Sequence, residues 1–67
     1  MLIMERHTRH GSTVKWFVRR MYDSVSVKWI KVHVILFAYR DGSMSIEAYD
    51  DTEDGIQMAY DMYKCLK

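Results

Sequence analysis

The dipeptide Asp41-Gly42, which lies between two apolar runs, restricts the fold of this chain more than any other sequence feature. Asp-Gly in this position is typical of a two-residue β-hairpin turn, because both turn positions need a positive φ angle. A turn of this kind places Phe37 opposite Ile46 and gathers the neighbouring apolar side chains on one face of the hairpin. The sequence therefore predicts a β-hairpin with one strongly apolar face.

The strands of this hairpin are predicted at about residues 25–39 and 44–49. The first segment is rich in Val, Ile, Trp, Phe and Tyr, which favour strands. Fifteen residues would extend about 50 Å, which is too long for one straight strand in so small a domain. The apolar alternation also shifts at residues 31–33, so we expect a bend or bulge there.

A C-terminal helix is predicted at about residues 52–66. Asp51 or Thr52 can cap its start, and Glu53 and Asp54 complement the positive end of its dipole. One apolar stripe, predicted to cover the Phe37 face of the hairpin, consists of Ile56, Ala59, Tyr60, Tyr63 and Leu66. A second apolar row on the same helix consists of Met58, Met62 and Cys65.

The N-terminal third is less clearly patterned. Apolar residues in segment 13–23 recur at helical spacing, which favours a helix, but the segment is rich in residue types that prefer strands, so a further strand remains the alternative. Residues 1–11 are expected to be a mobile arm or a short edge strand. The fold class is therefore α+β in a single domain, 1–67, with a small antiparallel sheet and a C-terminal helix packed on one face.

Size and composition suggest that the folded chain has apolar surface to spare. The chain has 67 residues, 49% of them apolar, and its single Cys excludes an intrachain disulfide. A domain of this size buries only about 60% of the surface of its unfolded chain. We therefore expect burial against a protein partner or in a homodimer, through the back of the hairpin and the surplus methionines. The alternative is that the helix predicted at 13–23 or the N-terminal strand covers the back of the hairpin. This predicted apolar surface comprises Val32, Val34, Leu36, Met58 and Met62.

The charges are unevenly distributed. Residues 1–40 hold eight Lys and Arg and two acids, a net charge of +6, whereas residues 41–67 hold two Lys and seven acids, a net charge of −5. Such polarity predicts a basic and an acidic surface. The predicted acidic partner-binding patch comprises Glu47, Asp50, Asp51, Glu53 and Asp54. The alternative, a nucleic-acid-binding surface, comprises Arg6, Arg9, Lys15, Trp16, Arg19, Arg20 and Lys28.

No catalytic, metal or cofactor site is predicted. Residues 50–55 faintly match the start of a twelve-residue calcium-binding loop. The twelfth position of that loop would be Asp61, where Glu is expected, and an acidic helix start explains the same residues. The histidines and Cys65 lack the paired spacing of a zinc site. No nucleophile–base arrangement can be assembled, so we expect no enzymatic activity. The lone Cys and the lack of a long apolar stretch predict a cytoplasmic protein without a membrane span.

Residues 33–63 are similar to small phage-encoded inhibitor proteins of the host-takeover or anti-CRISPR type. The resemblance rests on a strand, a tight turn, a short strand ending in Ile46-Glu47-Ala48-Tyr49, and a helix that opens after Asp51. It implies a small cytosolic protein that inhibits a host enzyme or defence complex by occluding its surface. We therefore expect a protein-binding inhibitor or adaptor, with a nucleic-acid-binding module and a structural homodimer as alternatives.

Overall fold

A computed structural model describes residues 1–66 as four antiparallel strands followed by one helix. Strands that are adjacent in the sequence are neighbours in the sheet, in the order β1-β2-β3-β4. The elements are β1 (Leu2–His7), β2 (Thr13–Asp23), β3 (Lys28–Ala38), β4 (Met44–Asp50) and α1 (Glu53–Cys65). The predicted α+β class, with a hairpin-based sheet and a C-terminal helix on one face, is confirmed.

Segment 13–23 forms strand β2, so its prediction as a helix is wrong and the strand alternative is right. It pairs with β3 along its whole length, from Thr13 opposite Ala38 to Asp23 opposite Lys28. This continuous pairing satisfies the backbone of β-branched and aromatic residues that favour strands, and it outweighs their helical spacing. At the N-terminus, β1 is an edge strand paired with β2, with a register irregularity between Leu2 and Met4.

The β3–β4 loop is longer than the predicted two-residue turn. Backbone hydrogen bonds run from Tyr39 N–H to the Ser43 carbonyl (2.8 Å) and from Gly42 N–H to the Tyr39 carbonyl (3.1 Å). Gly42 takes a positive φ of 95°, but Asp41 does not. The Asp41 carboxylate instead accepts hydrogen bonds from the hydroxyl and the backbone N–H of Ser43, which lower its pKa. Asp-Gly thus forms a turn here without fixing a two-residue hairpin.

This longer loop shifts the hairpin register by one residue, so the predicted register is wrong. Leu36, rather than Phe37, lies opposite Ile46, and Phe37 lies opposite Ser45. Because successive side chains of a strand point to opposite faces, the shift places Ile46 and Met44 on the face away from Phe37. The apolar side chains of the hairpin are therefore divided between the two faces of the sheet.

The first predicted hairpin strand is shorter than expected. Residues 24–27 form the β2–β3 turn, and β3 begins at Lys28. Its register with β2 is continuous, and so is its register with β4 from Val32 onwards. The predicted bend or bulge at residues 31–33 is therefore wrong. The apolar alternation shifts there because Lys31 lies on the part of β3 that extends beyond β4, whereas the buried His33 is hydrogen-bonded.

The core lies between α1 and one face of the sheet. Its buried members are Val14, Trp16, Ile35, Phe37, Ala59 and Tyr63, and Tyr49, Met62 and Leu66 pack around them. Of the predicted helix stripe, Ala59 and Tyr63 are buried, whereas Ile56 and Tyr60 remain more than one-third exposed. Fully burying a large apolar side chain contributes about 1.5–3 kcal/mol, so this small cluster supplies most of the apolar stabilisation.

Both ends of α1 are tied to the sheet. At the start, the Thr52 hydroxyl accepts a hydrogen bond from Gly55 N–H (3.0 Å), which makes Thr52 the N-cap. At the end, the Arg6 guanidinium of β1 donates to the carbonyl oxygens of Tyr63 (2.5 Å) and Leu66. It also lies 5.0 Å from the centre of the Tyr63 ring. Arg6 is thus a helix-capping residue, which argues against its predicted role at a nucleic-acid surface.

We expect Arg6→Ala to lower the free energy of unfolding by about 1–2 kcal/mol, because charge-assisted hydrogen bonds to the end of α1 are lost. Urea denaturation followed by circular dichroism measures the change. Arg9→Ala is the matched control, since Arg9 is exposed in the β1–β2 turn, and it should change the value by less than about 0.5 kcal/mol. Equal effects of the two substitutions would contradict the capping role.

Candidate interaction surfaces

One face of the sheet, here called the helix-free face, has apolar side chains but no covering helix or strand within residues 1–66. Strand pairing places it on the side opposite Val14, Trp16, Ile35 and Phe37, which pack against α1. Its apolar members are Leu2, Phe17, Val32, Val34, Leu36, Ala38, Met44, Ile46 and Ala48. Adjacent strands lie about 4.8 Å apart and rise about 3.3 Å per residue, so four strands of about seven residues give this face a footprint of about 400 Å².

The helix-free face contains part of the predicted apolar surface. Val32 and Val34 are buried on the inner strand β3, and Leu36 is half-buried. The most accessible side chains are instead Met44 and Ile46 on the edge strand β4, at 63% and 59% exposure. These two residues escaped prediction because the two-residue turn placed them beneath the helix.

Met58 and Met62, the other predicted members of this surface, lie on α1 on the opposite side of the sheet. With Tyr49 and Cys65 they line a shallow groove of about 300 Å³ between α1 and the edge strand β4. Burial raises the pKa of the Tyr49 phenol, and the nearby Glu47 adds to this effect. The predicted apolar surface is therefore divided between two separate places on the molecule.

The predicted acidic patch surrounds the connection between β4 and α1. Asp50 ends β4 on the helix-free side, and Glu53 and Asp54 lie in the first turn of α1. Asp51 is partly engaged, since its Oδ1 lies 2.9 Å from Nε2 of His33. Glu47 stands opposite Ile35, so it belongs to the other face of the sheet. Four of the five acids thus lie together, and Glu47 lies apart from Asp50.

A chain of hydrogen bonds joins Trp16, His33 and Asp51, and it is buried at Trp16 and His33 but exposed at Asp51. The Trp16 indole N–H donates to Nδ1 of His33 over 3.1 Å, and both side chains are at most 6% exposed. An indole N–H can only donate, so Nδ1 accepts, and the His33 proton resides on Nε2, which donates to Asp51. Buried in this way, Trp16 has no accessible ring for stacking on a base, and its predicted role in nucleic-acid binding is wrong.

The β2–β3 hairpin projects beyond the rest of the sheet. The pairing of β4 ends with Asp50 opposite Val32, and the N-terminus of the chain reaches no further than Val18 on β2. The segment from Arg20 to Lys31, here called the hairpin arm, is therefore a two-stranded ribbon without flanking strands. It accounts for part of the 40 Å length of the molecule.

Half of the residues of the hairpin arm are apolar, and most of these are exposed. Tyr22 and Trp29 form a cross-strand aromatic pair with ring centres 5.6 Å apart, and they are 51% and 62% exposed. The turn places Val25 and Val27 in solvent, at 91% and 71% exposure. Asp23 holds this turn by accepting hydrogen bonds from Ser26 and from the backbone N–H of Val25. The same hydrogen bonds lower the pKa of its carboxyl group.

Val27 has a φ of 53°, a left-handed conformation that is strained for a β-branched residue. A Gly or Asn would relieve this strain, so stability alone does not account for the sequence of the turn. Strained, exposed apolar residues are found most often at functional sites. The end of the hairpin arm is therefore a candidate contact site that the sequence did not reveal.

The residues of the predicted nucleic-acid surface are scattered. Arg19, Arg20 and Lys28 lie on or next to the hairpin arm and are exposed. Lys15 is half-buried on the helix-free face, and Arg9 lies in the β1–β2 turn at the other end of the sheet. The structure thus brings three of the seven predicted residues together and separates the others.

Comparison with known proteins gives this chain no relatives: no family model matches it, and neither a curated protein nor a solved structure matches at a significant level. The described part of the chain contains no cluster of three or more His, Cys, Asp or Glu side chains that could hold a metal ion. Over residues 1–66 there is also no helix of the length and apolar character needed to cross a membrane.

Proposed function

We propose that this chain is a small non-catalytic module that binds another protein through its helix-free face. It acts as an inhibitor or adaptor by occluding the surface to which it binds. The observation that carries this proposal is that both faces of the sheet have apolar side chains, although residues 1–66 contain only one helix with which to cover them. Contiguous apolar patches of several hundred Å² on a small protein usually mark interaction sites.

The area of this face sets a limit on the affinity. Its footprint of about 400 Å² includes polar side chains such as Lys15, so burying its apolar part at about 25 cal/mol per Å² gives at most about 10 kcal/mol before association costs of about 4–15 kcal/mol. The balance is close, so a few side chains decide the affinity. Ile46 and Met44 are the most exposed large apolar side chains of this face, and both lie on the edge strand β4. They are the expected centre of the interface.

Charges at the edge of the helix-free face give the interface an orientation. Arg19 and Asp50 flank Val32 on either side, one on β2 and the other on β4. The acids that follow Asp50 extend the negative rim toward the start of α1. Rim charges of this kind steer association and exclude wrong partners more than they add affinity. The partner is therefore expected to present an apolar centre with a basic rim toward Asp50.

We expect Ile46→Asp to reduce partner retention at least tenfold, because it places a charge at the centre of a desolvated interface. The measurement is a pull-down with the tagged chain from a nuclease-treated lysate of the cells that produce the protein. The retained protein is quantified and its direct binding is then confirmed with purified components. Met58→Asp is the matched control, because Met58 is equally exposed but lies on α1.

The same substitutions separate the proposal from its alternatives. Equal retention by the Ile46→Asp and Met58→Asp variants would contradict binding through the helix-free face. Sedimentation velocity of the purified chain tests self-association. A dimer that Ile46→Asp dissociates, without any other retained protein, would show that the face binds a second copy and not a different protein.

A further inference from the structure

We propose that the hairpin arm binds single-stranded nucleic acid, with bases stacked on Trp29 and Tyr22 and phosphates held by Arg20 and Lys31. This site is separate from the protein-binding face, and neither proposal requires the other. It is built from exposed aromatic and basic side chains that lie side by side on one side of a projecting ribbon. The core does not need any of the four, since all are exposed.

Strand pairing fixes the arrangement of these four side chains. Tyr22 lies opposite Trp29, and Arg20 lies opposite Lys31. Residues two apart along a strand share one face and are about 7 Å apart, so an aromatic pair is followed directly by a basic pair. Non-specific single-strand binding combines these two elements, aromatic rings for the bases and cations that follow the backbone.

Two further cations, on or next to the hairpin arm, add to its positive field. Arg19 and Lys28 lie on the other side of the ribbon, where Lys28 is opposite Asp23. Four basic side chains and one acid thus lie within residues 19–31, a net charge of +3. Half of the eight Lys and Arg of residues 1–40 thus lie on or next to this projection.

Single strands fit this surface better than duplexes. The rings of Trp29 and Tyr22 are more than half exposed on one side of the ribbon, and stacking on them requires bases with free faces. In a duplex those faces are already stacked on neighbouring base pairs. A hairpin end without aromatic rings would serve equally well for contacts to duplex phosphates.

Two acids limit the path of the bound strand. A recess of about 420 Å³ between the hairpin arm and the start of α1 is lined by Trp29 and Lys31 on one side and by Asp50 and Asp51 on the other. These carboxylates oppose phosphate binding at Lys31, so the phosphates of the strand lie closer to Arg20, which does not line the recess. Asp50→Asn should therefore strengthen binding, a direction of change that a simple loss of structure would not produce. Asp51 is unsuitable for this test because it bonds to His33.

The test measures fluorescence anisotropy of a fluorescein-labelled oligothymidylate at low and moderate salt. Two to four phosphate contacts predict a slope of log affinity against log salt of about −1.4 to −2.8 for a single strand. Trp29→Ala should weaken binding roughly tenfold or more through lost stacking. Arg20→Glu and Lys31→Glu should each weaken binding, and the two together should abolish it. Arg9→Glu, which changes the net charge by as much as either arm substitution alone, is the control at the other end of the molecule, and it should leave binding nearly unchanged.

Several outcomes would overturn the proposal. These are no binding at low salt, an Arg9→Glu effect as large as that of either arm charge reversal, or tighter binding of the duplex of the same length. Preferential binding of the arm to phosphatidylserine vesicles would assign it to anionic membranes instead. Thermal melts confirm that each variant is folded. Because Trp29→Ala leaves all charges in place, it tests stacking even if the double charge reversal fails to fold.

Discussion

Replacing Gly55 by alanine is expected to lower the free energy of unfolding by about 3 kcal/mol or more, although alanine is the better helix former by about 1 kcal/mol. A Cβ atom at this position would lie 2.9 Å from the carbonyl carbon of Asp50 and closer still to its oxygen. These are backbone atoms at the end of β4, and they cannot rotate away. The start of α1 would have to shift relative to the sheet.

Urea denaturation measures this change, with Gln57→Ala as the control at an exposed position of the same helix. The control should stay within about 0.5 kcal/mol of the parent. A Gly55→Ala variant as stable as the control would mean that the contact between α1 and Asp50 is loose. Gly55 would then have no steric role in the first turn of α1.

Trp16→Phe is expected to lower the free energy of unfolding by about 2–3 kcal/mol, because it removes indole volume from the core and leaves Nδ1 of His33 without its donor. His33→Leu should have a similar effect, since it leaves the indole N–H unpaired in a buried site. In the Trp16→Phe, His33→Leu double variant, neither the indole N–H nor Nδ1 remains buried without its partner. The decrease in the free energy of unfolding should therefore be smaller than the sum of the two single decreases, by about 1–2 kcal/mol.

Trp29→Phe is the matched control for this cycle, because it makes the same chemical change at an exposed tryptophan. It should change stability by less than about 0.5 kcal/mol. Nitrogen-15 NMR of His33 should show a bare Nδ1 and a protonated Nε2, as the donor-only indole requires. Additive single losses, or the opposite tautomer, would contradict a coupled Trp16–His33 pair.

The sequence predicted those elements whose local signals agreed. The C-terminal helix had a cap, acids in its first turn and an apolar stripe, and the structure begins it at Glu53 directly after its Thr52 cap. Segment 13–23 was ambiguous because its apolar residues met the helical spacing and the strand preferences together. Pairing with β3 decided in favour of the strand, and this pairing depends on residues far away in the sequence.

The candidate surfaces were harder to predict than the elements. The β2–β3 turn, Ser24-Val25-Ser26-Val27, contains no Gly, Pro or Asn. Asp23 and the two serines are its only turn-favouring residues, so the sequence pattern extends the predicted strand through part of it. The sequence predicts Arg6 to be part of a nucleic-acid surface, because its contact with the end of α1 spans 57 positions of the chain and leaves no local signal. Charge and residue type alone did not distinguish such a cap from a phosphate contact.

The length of the loop from Tyr39 to Ser43 determines what the molecule shows to its surroundings. With one residue fewer, the pairing of β4 would slip so that Met44 and Ile46 turned inward and Ser45 and Glu47 turned outward. The same amino acids would then make a protein with a hydrophilic exterior on that side. The exposed apolar surface of β4 therefore depends on the number of residues in this loop, so inserting or deleting a single loop residue would create or remove that surface.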